Sequence, residues 1–275
     1  MNYAVVLICR NEEKNIASCI KGVLNQTIEP LIFVIVDDDS QDETYKIITE
    51  YASKYEIIKP IRISNIRHKI KGINISFAIR RGMTRLFEID KYSDYILKLD
   101  ADAFIPRHYV ETIIKNMEND ELLGISGGAS NIRGISKQHV ADAAKVYRRD
   151  CLVELLPYPV MHGHDSFTQW WAQYRGWKVR SFNVRYIDSR PYRRSNFRCF
   201  LEGRFRYLNG FNLAICGYRL ISDLYNQPYI IGSLIAFLSY ISSFLTDKRA
   251  FEDGYYEFMK KFLRRQILTS LHKKN

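Results

Sequence analysis

Four short apolar runs, at residues 4–8, 31–36, 57–63 and 95–99, are separated by longer stretches in which apolar residues recur at helical spacing. This alternation is the signature of an α/β sheet, because a crossover helix is the usual way to return the chain to the start of the next parallel strand. The first intervening stretch reads as a helix over 12–25, with Asn11 as its cap, acids in its first turn and Ile16, Ile20, Val23 and Leu24 along one face. Ser40-Gln41-Asp42-Glu43 reads as a capping box opening a second helix that carries Ile47, Ile48 and Tyr51, and a third helix is predicted over 76–87. Parallel strands set their C-terminal ends on one edge, and open α/β sheets bind ligands in the crevice outside that edge. Function should therefore be sought in the residues that follow each run.

Three of those ends are polar: Cys9-Arg10-Asn11-Glu12, Asp37-Asp38-Asp39-Ser40 and Asp100-Ala101-Asp102. Side chains two apart in extended chain point the same way, so Asp100 and Asp102 can present two carboxylates to one point. Such hard oxygen ligands suit Mg²⁺ or Mn²⁺ and the diphosphate the ion would neutralise. An isolated D-x-D also caps turns. Here it follows an apolar strand, precedes Phe104-Ile105-Pro106 and shares its edge with other acids, and that context favours the metal reading.

An apolar fraction of 47% over 275 residues supplies a full core. The net charge of +11 lies entirely in the second half: residues 1–139 hold 19 Lys/Arg against 19 Asp/Glu, whereas residues 140–275 hold 22 against 11. Its densest stretch, 175–219, carries eleven basic residues, among them Arg190, Arg193 and Arg194, and suits a polyanionic partner such as a diphosphate or an anionic membrane surface. The five cysteines are scattered without a C-x-x-C pair and read as reduced thiols of a cytosolic protein. Residues 229–245 run 17 positions without a charge, marginal for a membrane span of about 20. Ile230, Leu234, Phe237, Leu238, Ile241 and Leu245 share one side of that helix, while Gly232, Ser239 and Ser243 fall elsewhere, which favours a helix lying on something apolar.

The segments AVVLICRNEE, FVIVDDDSQDET, KGINISFAIRRG, LKLDADAFIP and HGHDSFTQWWAQYRGWKV, in this order over about residues 3–180, resemble the family 2 glycosyltransferases of the A-type nucleotide-sugar fold. The resemblance implies a Rossmann-like, mostly parallel sheet flanked by helices, with a C-terminal helical extension that associates in part with a membrane. It implies a catalytic domain over 1–220, with 1–139 on the nucleotide-sugar side and 140–220 on the acceptor side, followed by apolar and basic helices over 221–275. Carried over by position, Cys9 (through its backbone) and Glu12 line the nucleoside pocket, and Asp38 hydrogen-bonds the base. Asp100 touches the ribose or the metal shell, and Asp102 coordinates the Mg²⁺ or Mn²⁺ that bridges the donor diphosphate. For Glu12 the alternative is a first-turn acid that answers the helix dipole.

The reaction also needs a base for the acceptor hydroxyl, and Asp165 is the candidate, in Gly163-His164-Asp165 where the family often has an acid pair at a helix start. Its alternative role is to cap that helix, although Ser166-Phe167-Thr168-Gln169 is itself a capping box. His164 and the aromatic stripe Phe167, Trp170, Trp171 and Tyr174 read chiefly as packing.

Three departures from the family pattern stand out. Asp39 occupies a common glycine position, Asp188 stands where the family often supplies a metal-binding His, and Gln173-Tyr174-Arg175-Gly176-Trp177 lacks the spacing of processive synthases. The expected protein is a cytoplasmic, inverting glycosyltransferase at the inner face of the cell membrane. It would use a UDP- or GDP-sugar donor and a lipid-linked or glycan acceptor, and add one sugar per encounter. Two alternatives compete. A sugar nucleotidyltransferase would need a glycine-rich phosphate loop after the first strand, where Arg10-Asn11-Glu12-Glu13 has none, and a non-enzymatic nucleic-acid-binding protein would use the basic half. Neither matches the strand-end acids as well, and no nucleic-acid partner is expected.

Overall fold

Strands β1 (Tyr3–Cys9), β2 (Ile32–Asp37), β3 (Ile58–Arg62) and β4 (Tyr95–Asp100) form where the apolar runs predict them. They come from a computed structural model that describes residues 1–64, 68–131, 135–136, 138–188, 195–224, 229–248 and 251–272. Arg190, Arg193 and Arg194 of the basic stretch lie outside the described residues. The chain forms two compact units, Met1–Pro191 and Tyr192–Asn275. That division falls upstream of the boundary at 220 anticipated from the sequence.

In the first unit β3, β2, β1 and β4 are parallel neighbours in that order. Helix α1 (Ile16–Leu24) connects β1 to β2, α2 (Thr44–Ala52) connects β2 to β3, and α3 (Lys71–Ile89) connects β3 to β4. Beyond β4 the chain adds β5 (Ala103–Phe104), α4 (Tyr109–Glu118), β6 (Leu123–Ser130), β7 (Ala144–Arg148), α5 (Arg149–Val153), α6 (His164–Tyr174) and β8 (Lys178–Asp188). Strand β7 enters antiparallel between β4 and β6, and the sheet ends β6-β8-β5. The parallel expectation therefore holds for the first half of the sheet, and the remainder is mixed.

Alternation along β1 builds two core layers. Tyr3, Val5, Leu7 and Cys9 pack with Ile16, Cys19, Ile20 and Val23 of α1, while Ala4, Val6 and Ile8 pack with Ile79, Met83 and Leu86 of α3. Tyr109 locks α4 to the sheet, since its hydroxyl donates to the Ala144 carbonyl at 2.6 Å and accepts from the Gly128 amide at 2.7 Å.

The second unit contains α7 (Asn196–Leu208), α8 (Leu213–Asp223), α9 (Tyr229–Thr246) and α10 (Asp253–His272). Ser195 caps α7 and Asn212 caps α8 through side-chain oxygens that accept from Arg198 N and Ile215 N. Helix α9 is turned inside out. Its small residues, Gly232, Ser233, Ala236, Ser239 and Ser243, are buried, whereas Ile230, Ile231, Leu234, Leu238, Phe244 and Leu245 are exposed. The reason is close packing on α7: a methyl group on Gly203 would collide with the Ala236 carbonyl oxygen, and the Ser239 hydroxyl donates to the Phe200 carbonyl at 2.6 Å. Among the described residues no helix is long and apolar enough to cross a membrane.

Candidate active site

The registers of β1 with β2 and β4 bring three polar strand ends into line. Cys9 stands beside Asp37, and Ile8 stands beside Asp100. The Asp38 amide donates to the Cys9 carbonyl at 2.9 Å, and the Ala101 amide donates to the Ile8 carbonyl at 3.3 Å. The loops after β1 and β2 are then stitched together. The Asn11 amide donates to Ser40 Oγ at 2.9 Å, the Gln41 amide to Asn11 Oδ1 at 2.9 Å, and the Glu12 amide to Thr44 Oγ1 at 2.7 Å.

These bonds correct three expectations. Asn11 does not cap α1, because it sits at φ 51° and its side chain is spent on Gln41, so the helix begins only at Ile16. Glu12 therefore precedes the helix instead of lying in its first turn. It is buried, its carbonyl accepts from the Asn15 and Ile16 amides, and its Oε2 accepts from Asn15 Nδ2 at 2.9 Å. Ser40 likewise makes no capping box, because its hydroxyl serves Asn11 and its amide donates to Asp37 Oδ2, while Asp42 Oδ1 takes the Thr44 amide and hydroxyl at the start of α2.

Cys9 is buried, with its thiol donating to the Val36 carbonyl at 3.4 Å and lying 4.0 Å from Asp37 Oδ1. Asp38 is half-buried. Burial pushes its carboxyl up to about 6, Arg10 opposes this, and the neighbouring Asp37 and Asp39 add to it. Arg10 Nη1 donates to the Asp38 carbonyl at 2.6 Å and lies 3.9 Å from Asp39. Asp39 itself adopts φ 58°, the left-handed conformation for which a glycine is the usual occupant.

Asp100 ends β4 with its side chain 31% exposed. Burial drives its carboxyl upward, Lys98 pulls against that, and Asp142 and Asp102 raise it further. Cys19 registers the same crowding: beyond burial, the charges of Asp100, Asp102 and Glu12 all raise its thiol. Acids from the first and fourth strand ends thus act on one buried sulfur. Crowded carboxylates are what a divalent cation relieves, and two hard oxygen side chains fit Mg²⁺ or Mn²⁺ when substrate phosphates and water complete the shell. Among the described residues no group of three His, Cys, Asp or Glu side chains is arranged to hold an ion unaided. Pairing of β5 with β8 sets Asp188 opposite Ala103, next to the D-x-D turn, where its backbone is held by Asn131.

Asp142 belongs to no motif in the sequence, and its place is visible only in the fold. Its carboxylate lies 2.7 Å from Lys98 Nζ through Oδ2 and 2.8 Å from Lys145 Nζ through Oδ1. Lys98 also reaches Asp100 Oδ1 at 2.7 Å, and Lys145 reaches the Asp165 carbonyl at 3.4 Å. Asp165 falls in the first turn of α6, whose cap position is Gly163 at φ 75°. The capping box expected at Ser166 is not made. Gln169 is buried instead, where it donates to the Asp165 carbonyl at 2.8 Å and exchanges bonds with the Val140 backbone. His164 is buried against Tyr158, its Nδ1 lying 3.1 Å from the hydroxyl. Burial lowers its pKa against the opposing pull of Asp142 and Asp165. Cys9 and Asp100 therefore end neighbouring strands, Asp38 follows the end of a third, and the Asp142 network links Asp100 to the backbone carbonyl of Asp165.

Comparison with known proteins bears on the family and the fold. The family model described as glycosyl transferase family 2 matches residues 4–139. The chondroitin synthase of Escherichia coli is 32% identical over 110 residues, which is 40% of this chain and 14% of that protein, so the chain spans a small part of that relative. Mannosyltransferase PcManGT from Pyrobaculum calidifontis, solved with GDP-Man and Mn²⁺, superposes with TM-score 0.59 at 15% identity and covers 100% of this chain and 88% of that one. S. aureus TarS 1-349 with UDP-GlcNAc gives TM-score 0.55 at 16% identity, over 90% of this chain and 76% of that one. At these identities the structural likeness concerns the fold.

Proposed function

Since the chain belongs to glycosyl transferase family 2, we propose that it moves a sugar from a UDP- or GDP-sugar donor to a lipid-linked or glycan acceptor, with inversion and one sugar per encounter. The observation that carries this reading is the alignment of Cys9, Asp38 and Asp100 at adjoining strand ends. The GDP-Man, UDP-GlcNAc and Mn²⁺ of the structural neighbours support the donor class and the cation.

In this mechanism the Cys9 backbone and Glu12 bound the nucleoside pocket, and Asp38 accepts a hydrogen bond from the base. Asp102 and Asp100 would hold Mg²⁺ or Mn²⁺, which when bound supplies Lewis-acid stabilisation to the departing nucleoside diphosphate. Asp165 takes the proton of the acceptor hydroxyl as its oxygen bonds to the anomeric carbon, while the bond to the diphosphate breaks on the opposite face. That displacement inverts the centre.

The C-terminal helices are proposed to lie against the inner face of a cell membrane in the cytoplasm. Residues 192–275 hold 14 Lys/Arg against 6 Asp/Glu, and the exposed apolar face of α9 lies in the same segment. Apolar insertion with basic flanks is the chemistry of peripheral attachment to anionic lipid.

A thermal-shift screen of UDP- and GDP-sugars with and without Mn²⁺ tests the reading, since a ligand at 100 times its Kd adds about 2.7 kcal/mol to the folded state. Asp102→Asn should abolish the Mn²⁺-dependent part of the shift. Asp165→Asn should keep donor binding and lower turnover by about 10²-fold or more. Wild-type transfer by either variant would refute its assigned role.

A further inference from the structure

We propose that Asp142 is a positioning residue, which through Lys98 and Lys145 ties the Asp100 carboxylate to the first turn of α6, where Asp165 resides. The proposal rests on the site reading above and adds to it a mechanical link between the donor-side acids and the helix of the base.

The link follows from the sheet. Lys98 on β4 and Lys145 on β7 are direct partners across an antiparallel pair, and both side chains are fully buried. Like charges directly opposite on a sheet repel, and each buried ammonium loses its hydration. The neighbouring buried positions on these strands, Ile96, Leu97, Leu99, Ala144 and Val146, are apolar, so packing alone does not call for two lysines. The hydrogen bonds do. Lys98 Nζ donates to Asp100 Oδ1 at 2.7 Å, Asp142 Oδ2 at 2.7 Å and the Asp142 carbonyl at 3.0 Å, which uses all three of its protons. Lys145 Nζ donates to Asp142 Oδ1 at 2.8 Å and the Asp165 carbonyl at 3.4 Å.

The network grips Asp165 by its backbone, so the carboxylate can turn to the substrate while the helix end stays fixed. Gln169 and Thr168 also donate to that carbonyl, but both belong to α6 itself. Of these three donors, Lys145 is the one that anchors the carbonyl to the sheet. Asp142 is therefore the shared joint of two arms, one ending at the D-x-D and the other at the helix.

Hydrogen exchange and nucleotide titration separate the arms. In the metal-free protein, Lys145→Met should speed amide exchange over residues 165–169 at least tenfold while exchange in β1 stays at the wild-type rate. The same variant should bind UDP or GDP with Mn²⁺ within twofold of wild type. Lys98→Met should weaken that nucleotide and Mn²⁺ binding at least tenfold. Asp142→Asn should do both, and if it fails to fold, Asp142→Asn with Lys145→Met restores the charge balance and should bind UDP or GDP with Mn²⁺ at least tenfold more weakly than Lys145→Met alone, because the remaining difference is the Asp142 bond to Lys98. Equal affinity of the two would overturn the role of Asp142.

Exchange in α6 that is unchanged in Lys145→Met, or that rises only in step with β1, would overturn the proposal. So would wild-type nucleotide affinity in Lys98→Met. Failure of the site reading looks different: Asp102→Asn would keep Mn²⁺-dependent binding, while the exchange result still decides whether the tie exists.

Discussion

Lys98 and Lys145 face each other across β4 and β7 with the Asp142 carboxylate between them, at 2.7 and 2.8 Å. Burial alone would raise the Asp142 carboxyl, yet the two ammonium groups hold it well below the usual carboxylate range. A carboxylate depressed in the folded state contributes stability that is present above its unfolded pKa and is lost as pH falls towards the folded value. Replacing it strands the desolvated Lys145 cation and leaves Lys98 with Asp100 as its carboxylate partner. Asp142→Asn should therefore lower unfolding free energy by about 3–5 kcal/mol. Adding Lys145→Met should recover part of that loss, because the stranded charge goes with it. Urea titrations of the single and double variants measure both, and simple additivity would show that the charges do not interact.

Asp38 has the opposite sign. Its folded value of about 6 lies above the reference of 3.8, so the native state binds a proton more tightly than the unfolded chain does. Its contribution makes the protein less stable as pH rises through the window between those values. Asp38→Asn should raise the melting temperature at pH 8 relative to wild type, and that gain should vanish near pH 4. The side chain is half-buried, so solvent screening reduces the gain below what the shift alone suggests. Under the proposed function the same substitution weakens nucleotide binding, an exchange of stability for function. Melting curves across pH, with and without nucleotide, test the two halves separately.

Of the four legible strands, β1, β2 and β4 are buried on both faces, since a parallel strand between two helical layers must be apolar almost throughout, and β3 is the partly exposed edge strand. Val5, Val34 and Leu97 sit in such runs. Strand β6 was illegible because Leu123–Ser130 is, apart from Leu123 and Ile125, made of Gly, Ser and Ala, small residues that leave room for the Cys151 and Tyr109 side chains. Strand β7 was hidden by Lys145, a residue that composition assigns to solvent. The same burial of lysine underlies the Lys98–Asp142–Lys145 network. Lys98 interrupts the apolar run Tyr95–Asp100 at an inward position, and a lysine there requires a buried counter-ion. That signal pointed to an acid such as Asp142, which no motif marks. The capping boxes failed for a related reason: Ser40 and Gln169 found partners distant in sequence that local pattern does not reveal.

Asp39 shows how a departure from a family pattern becomes a measurable strain. At φ 58° a side chain crowds its own backbone, though Asp tolerates this region better than most residues, and here its carbonyl and Oδ1 accept from Gln41 Nε2. Asp39→Gly should be neutral or stabilising by up to about 1 kcal/mol, whereas Asp39→Ala should destabilise by about 1–2 kcal/mol. Chemical denaturation of the pair decides it, and equal effects would mean that the turn relaxes to another conformation.

The exposed face of α9 makes a prediction about surfaces. Leu234 is 46% and Leu238 65% exposed, four residues apart on one side of the helix, with Ile230 and Leu245 continuing the stripe. Full burial of a leucine contributes about 1.5–3 kcal/mol, so covering these half-exposed side chains with acyl chain is worth about 1 kcal/mol each. Binding to vesicles with 30% phosphatidylglycerol, a probe composition chosen to be anionic, should fall about 30-fold in Leu234→Gln with Leu238→Gln, which is two such increments converted at 1.4 kcal/mol per decade. Both positions are on the surface, so the fold should lose no more than about 0.5 kcal/mol per change. Wild-type binding should also weaken as salt rises, because the basic residues of 192–275 act through a screened field. Vesicle flotation of the wild type and the double variant at low and high salt makes the measurement. Unchanged flotation of the double variant would remove α9 from the attachment and leave its apolar face to a protein partner.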